Sequence, residues 1–133
     1  MFGGRAENRP QAKIGSLVGA GAKVEGDIRF TGGLRVDGEV KGCVLAAEGA
    51  QDATLVLSES ARIEGSVKVA HFVTNGTVVG NVEVLGALEL QPKARIVGDV
   101  AYARIEMHQG AVIEGRLTFC GEQKVELVDN DGA

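Results

Sequence analysis

Few residues in this chain have the type and spacing that catalysis needs. Its 133 residues include two histidines, His71 and His108, and two cysteines, Cys43 and Cys120. A histidine can act as a general base near neutral pH, and His108 lies close to Glu106 in the stretch "EMHQGA". The cysteines lack the CxxC spacing of metal and redox sites, so we expect two reduced, semi-buried thiols. The two histidines are therefore the candidates for a catalytic base.

Ligand-binding motifs are equally scarce. The stretch "VDNDG" places Asp129 and Asp131 as in a calcium loop, but the glutamate that closes such a loop and its flanking helices are missing. The sequence contains no Gly-Lys-Ser/Thr phosphate loop. A net charge of −4, with basic residues scattered among acidic ones, argues against a nucleic-acid surface. We therefore expect neither metal nor cofactor, and no nucleotide or nucleic-acid partner.

The most informative feature is a repeated pattern, apolar-x-Gly-x-apolar. It occurs as "VEGDI" (24–28), "VDGEV" (36–40), "IEGSV" (63–67), "VVGNV" (78–82), "IVGDV" (96–100) and "IEGRL" (113–117). The gaps between successive glycines are 12, 27, 15, 18 and 17 residues, so the later gaps indicate a coil of 17 or 18 residues. In "ARIEGSVKV", Ile63, Val67 and Val69 alternate with polar residues, which predicts strands with one buried face. Glycine suits the corners between such strands, where an inward side chain would collide with its neighbours.

Short strands repeated at this interval predict a parallel β-solenoid. Leu88 and Ile105, Leu90 and Met107, and Ile96 and Ile113 are each 17 residues apart and should stack in adjacent coils. Residues 14–120 would form about six coils, a rod roughly 30 Å long at the usual strand spacing. The general preference of parallel crossovers favours right-handed winding. A β-sandwich or barrel is the alternative, which would need closer turn signals and no stacking of like residues.

Both ends of the predicted rod lack a recognisable cap, so they should expose apolar side chains and open strand edges. The end residues are Ile14, Leu17, Val18, Val24, Ile28 and Phe30 on one side and Ile113, Leu117 and Phe119 on the other. An open edge is a template for another chain. Addition at both ends gives a filament, because such contacts never close into a ring.

The chain resembles the bactofilins. The resemblance lies in the start "IGSLVGAGAKVEGDIRFTGGLRVDGEVKG", the coils "ARIEGSV", "ARIVGDV" and "AVIEGRL", and the short "MF" tail. It implies a right-handed, three-sided β-helix that polymerises without nucleotide into non-polar filaments, with like ends meeting. It also implies a scaffold for cell-wall enzymes, polarity factors and shape-determining machinery at the inner face of the bacterial membrane. An aromatic residue in the last coil is critical for polymerisation in this family, and Phe119 matches it.

We expect three segments: an N-terminal tail over 1–13, the β-helix over 14–120, and an acidic tail over 121–133. The first tail lacks the apolar run of a secretory signal, and the sequence has no membrane span, which indicates a cytoplasmic protein. Membrane-binding bactofilins dock through a tail of this kind. In this sequence Met1 and Phe2 match its apolar tip, and Arg5 and Arg9 supply positive charge. Inner-membrane lipid is therefore an expected partner, beside further copies of the chain.

Two other functions fit parts of the sequence. Left-handed hexapeptide-repeat acyltransferases are also β-helical, and Gly26, Gly32 and Gly38 are six residues apart. That interval does not persist along the chain, and no long loop interrupts the coils to build a substrate pocket. A monomeric β-helical adaptor, with its ends covered by the tails, is the other alternative. We expect a structural protein rather than an enzyme.

Overall fold

The computed structural model describes residues 14–120, which form sixteen short strands and no helix. In chain order they are β1 Ile14–Val18, β2 Lys23–Glu25, β3 Ile28–Phe30, β4 Gly33–Val36, β5 Glu39–Lys41, β6 Val44–Ala46, β7 Thr54–Leu57, β8 Arg62–Glu64, β9 Val67–Val69, β10 His71–Thr74, β11 Thr77–Val79, β12 Val82–Leu90, β13 Arg95–Val97, β14 Val100–Met107, β15 Val112–Glu114 and β16 Leu117–Phe119. No helix in this part of the chain is suited to crossing a bilayer.

The strands stack on three faces, and every pairing between them is parallel. Face A contains β1, β4, β7, β10 and the second halves of β12 and β14. Face B contains β2, β5, β8, β11, β13 and β15. Face C contains β3, β6, β9, the first halves of β12 and β14, and β16. One strand from each face makes a coil, so the molecule is a three-sided parallel solenoid of six coils, as predicted.

Inward side chains stack in columns that run along the rod. On face A, for example, Leu34, Leu55, Phe72, Leu88 and Ile105 succeed one another in register. The predicted pairs Leu88–Ile105, Leu90–Met107 and Ile96–Ile113 are all confirmed. The middle of each column is buried, because it is covered above and below by a neighbouring coil. The core is therefore apolar, mostly aliphatic, and continuous from coil to coil.

One of the six patterned glycines lies at a different corner from the others. In "VDGEV", Gly38 lies between faces A and B, whereas the other five patterned glycines lie between faces B and C. The glycine that occupies the second coil at the B–C corner is Gly42, in "VKGCV", and it has a φ of 152° like its neighbours in the column. When Gly42 rather than Gly38 is counted as the glycine at this corner of the second coil, the short gap of 12 residues disappears. The remaining long gap arises in the third coil, where residues 47–53 form an extra turn between β6 and β7.

The residue after three of the six corner glycines supplies a feature that sequence patterns did not indicate. The Asp27 side chain accepts a hydrogen bond from the backbone N–H of Cys43 in the next coil, at 2.9 Å. Asn81 accepts in the same way from the N–H of Asp99, whose own carboxylate accepts from the N–H of Arg116, both at 3.1 Å. Since a polar corner needs partners for its backbone groups, these bonds hold the first coil on the second and join the fourth, fifth and sixth coils.

Outward positions on face B alternate in charge across the first three coils. Lys23, Glu39 and Arg62 form one row. Glu25, Lys41 and Glu64 form the adjacent row with the opposite signs. Opposite charges on facing strands stabilise parallel pairing and keep this face solvated. A hydrogen bond from Arg62, at 2.8 Å, is the main reason that the pKa of Glu64 lies below its ordinary value.

Candidate assembly surfaces at the two ends

The C-terminal end of the described solenoid consists of three unpaired strand edges. Residues 104–107 of β14, together with β15 and β16, pair with the fifth coil on one side. Within residues 14–120, no strand lies on their other side. The backbone N–H and C=O groups of these edges point along the rod axis, where a further coil would continue the pairing.

Apolar side chains fill the area between these edges. Phe119 is 47% exposed, Leu117 is 49% exposed and Met107 is 45% exposed, although each continues a buried column. Ile105 and Ile113 are half-buried beside them. The Phe119 ring packs edge-on against Tyr102 of the coil below, with 6.1 Å between the ring centroids. This end therefore presents a flat apolar patch with one aromatic ring held in place, and we call it the C-terminal end face.

The N-terminal end of the described solenoid also has three open edges, but its apolar surface is better covered. Among residues 14–120, strands β1, β2 and β3 pair only with the second coil. Val18, Val24 and Ile28 are inward and half-buried, and Ser16 occupies the inward position above Leu34. These inward residues form what we call the N-terminal end face. The N-terminal end face is apolar except at Ser16, which is polar.

Two residues predicted for this end have different surroundings from those expected. Phe30 is 7% exposed and contributes mainly to the core of its own chain. Leu17 is 62% exposed, but its register partner is the outward Arg35, so it lies on the outer side of face A rather than on the end. A register shift between Ile14 and Ser16 produces this placement.

Some of the other predicted residues lie at the two ends of the solenoid, and the rest lie outside the described residues. Ile113, Leu117 and Phe119 come together on the C-terminal end face, and Val24 and Ile28 on the opposite one. The backbone of Ile14 begins β1. The predicted membrane-targeting residues, Met1, Phe2, Arg5 and Arg9, lie outside the described residues.

Met107 and Ile105 were missed as end-face residues, although the sequence contained the signal. The predicted pairs Leu88–Ile105 and Leu90–Met107 already placed both residues one coil beyond a buried leucine, and coil six is the last described coil.

The two histidines do not form a shared site. His71 begins β10 in coil four, and its Nδ1 accepts a hydrogen bond from the backbone N–H of Ala87 at 3.3 Å. His108 follows β14 in coil six and faces Glu89 and Glu106. Each histidine therefore interacts with its own part of the solenoid, two coils apart.

Comparisons with known proteins agree with this architecture. A family model described as "Bactofilin: Polymer-forming cytoskeletal" matches residues 16–118. Bactofilin BacO of Myxococcus xanthus is 26% identical over 111 residues, which cover 84% of this chain and 84% of BacO. Bactofilin BacP of the same organism is 29% identical over 102 residues, or 77% of this chain, but the match spans only 40% of BacP.

A solved structure matches the same region. It is described as the atomic structure of the cytoskeletal bactofilin BacA revealed by solid-state NMR. It has a TM-score of 0.69 and 29% identity, and the match covers 84% of this chain and 100% of the other. The match of the family model to residues 16–118, which form nearly all of the solenoid, shows that this chain belongs to the bactofilin family of polymer-forming cytoskeletal proteins.

Proposed function

We propose that the chain assembles end to end into filaments without nucleotide, and that these filaments act as a cytoplasmic scaffold at the inner face of the cell membrane. The observation that carries the proposal is the C-terminal end face, where, among residues 14–120, the apolar core reaches the surface between three unpaired strand edges. In this proposal the filament has no catalytic role. It positions cell-wall-modifying or polarity proteins along its charged outer faces.

Burial of the end face favours assembly for two reasons. Each large apolar side chain that leaves water contributes about 1.5–3 kcal/mol. The backbone edges lose their water partners only when another coil supplies replacements, so a neighbour with the same strand geometry is the best occupant. A second copy of this chain has that geometry at both of its ends.

In the proposed filament, like ends meet. An isologous contact brings the same residues from two copies together around a two-fold axis. At the C-terminal junction, Phe119 and Leu117 of one copy would then be buried together with Phe119 and Leu117 of the other copy. The N-terminal end face would join in the same way through Val18, Val24 and Ile28. Such a filament has no direction, because the two contact types alternate along it.

Electron microscopy of the purified full-length chain tests the assembly proposal. In plain buffer without nucleotide, negative staining is expected to show filaments that are one solenoid wide and many solenoids long. Addition of nucleotide should not change their length. Single short rods at all concentrations would instead support the monomeric adaptor and contradict the proposal.

We extend the proposal to the N-terminal tail, whose role in binding lipid follows from the charge and apolarity of its residues. Burial of Phe2 in a bilayer contributes about 1.5–3 kcal/mol, and each basic residue near anionic lipid adds about 1 kcal/mol. One tail would bind weakly. A filament presents many tails at once, and effective concentration converts these weak contacts into stable attachment.

The Phe2→Glu variant is expected to lose binding to anionic vesicles while it retains filaments, because the substitution removes the apolar tip and adds repulsion. Co-sedimentation with liposomes compares the two proteins at equal filament mass. The matched control is Phe2→Leu, which keeps an apolar tip and should still pellet with the vesicles. Equal pelleting of Phe2→Glu and the parent would exclude the tail as the membrane anchor.

A further inference from the structure

We propose that Glu89, Glu106 and His108 bind a divalent transition-metal ion, with Zn²⁺ as the best match, across the fifth and sixth coils. One ligand atom from each residue lies within 4.8 Å of the other two. His108 Nε2 is 3.0 Å from the nearer carboxylate oxygen of Glu89 and 3.5 Å from that of Glu106. The three side chains belong to two coils that the solenoid holds in fixed register.

The separations fit the coordination of zinc. Zinc binds carboxylate oxygen and imidazole nitrogen at about 2.0–2.2 Å, so two ligands of a tetrahedral site lie about 3.4 Å apart. The two His108 distances are already close to that value. The two glutamate oxygens lie within 4.8 Å of each other, and rotation of these partly exposed side chains can adjust that distance to tetrahedral spacing. A fourth position remains for water or for a ligand from a partner.

The cluster contrasts with the rest of the charged surface. Glu89 and Glu106 are direct register partners, so two carboxylates face each other on adjacent coils. Like charges in that arrangement destabilise strand pairing unless a cation lies between them. Among residues 14–120, no Lys or Arg nitrogen lies within ion-pair distance of either carboxylate. On face B, by comparison, facing residues of the first three coils have opposite signs.

The histidine is held at the cluster by its backbone. The N–H of His108 donates to the carbonyl oxygen of Leu90 at 2.9 Å, and its own carbonyl accepts from the N–H of Ala111 at 3.1 Å. Both bonds fix the turn that follows β14. The backbone at the base of the side chain is therefore fixed, and the imidazole lies 3.0 Å from a Glu89 oxygen, which reduces the ordering that metal binding requires.

The ligand set favours a metal of intermediate softness. Imidazole is a good ligand for zinc, nickel and copper, whereas calcium takes six to eight oxygen ligands and magnesium prefers carboxylate, phosphate and water oxygens. Two carboxylates with one imidazole resemble the three-residue sets of open zinc sites, although those more often contain two histidines. A bound ion would also join the last described coil to the one below, so it should raise the melting temperature.

Zinc titration of the purified full-length chain tests this inference. Isothermal titration calorimetry with ZnCl₂ is expected to show one ion per chain, and added zinc should raise the melting temperature above that in EDTA. His108→Gln and Glu89→Gln should each weaken binding at least tenfold, since each removes a ligand. A melting temperature in EDTA that is no lower than that of the parent would show that the variants are folded, and Glu89→Gln should even raise it slightly because it removes the repulsion between facing carboxylates.

Two control variants separate this site from other zinc ligands. His71→Gln removes the other histidine, and Cys120→Ser removes an exposed thiol. Both should bind zinc as the parent does. Loss of binding in either control, retention of the parent affinity in His108→Gln, or no saturable binding to the parent would each overturn the proposal. These outcomes are independent of filament formation, because they are read from metal affinity.

Discussion

The Phe119→Arg variant is expected to fold and to remain as short particles, with end-to-end association weakened by at least a hundredfold. Phe119 is 47% exposed on the C-terminal end face, so the substitution removes little from the core of its own chain. Burial of the ring contributes about 1.5–3 kcal/mol, and a contact between like ends contains two such rings. An unpaired arginine in the same contact adds a desolvation cost of several kcal/mol. Sedimentation velocity and negative staining measure the loss.

The parent fold should survive the change. The packing of Phe119 against Tyr102 is a single edge-on contact, which contributes about 0.5–1.5 kcal/mol. Far-ultraviolet circular dichroism should therefore remain that of a β protein. An unfolded variant would show that the ring supports the monomer instead of the junction.

Val112→Arg is the matched control for position and charge. Val112 is also in the sixth coil and is 42% exposed, but it is on the outer side of face B, in register with Arg95. An arginine there can point into solvent, so filaments should persist. Long filaments in Phe119→Arg, or equal loss in both variants, would contradict the role of the ring at the junction.

The sequence was sufficient to predict the solenoid because the alternation and the 17-residue interval are local signals. Residue pairs such as Ile96–Ile113 follow directly from that interval. The 17-residue interval does not hold between residues 36 and 65. In this segment Gly38 and Gly42 both follow an apolar-x pattern, and an extra turn lengthens the third coil. Two glycines four residues apart cannot be assigned to corners until the neighbouring coils are known.

The end faces were only partly predictable for a related reason. Inward and outward positions on β1 depend on a register shift between Ile14 and Ser16, which places Leu17 outside. The burial of Phe30 depends on neighbours that are distant in sequence. The cluster of Glu89, Glu106 and His108 contains residues up to 19 positions apart, so it can be recognised only after the register of the two coils is known. Contacts between coils are thus the part of the site that a local pattern cannot supply.

The second prediction concerns the corner glycines and the stability of the fold, and it does not depend on assembly. Gly65 has a φ of 153°, a region that residues with a side chain rarely adopt. A Cβ at this position would collide with the carbonyl oxygen of Gly42 in the coil below. Gly80 makes the same approach to Gly65 from the coil above, so the corners form a closely packed column. Movement of one corner would displace the next.

Gly65→Ala is therefore expected to destabilise the fold by about 2–5 kcal/mol, since overpacking costs about 1–3 kcal/mol and the unfavourable φ about 1–2 kcal/mol. For a domain of this size the melting temperature should fall by about 10 °C or more. The measurement is best made in the Phe119→Arg background, where association does not contribute to the melt. Gly19→Ala is the control, because no atom lies within 4 Å of its added Cβ, and it should melt within about 3 °C of the parent. If Gly65→Ala melts with the control, the column tolerates a methyl group, and close packing of the corners does not limit stability.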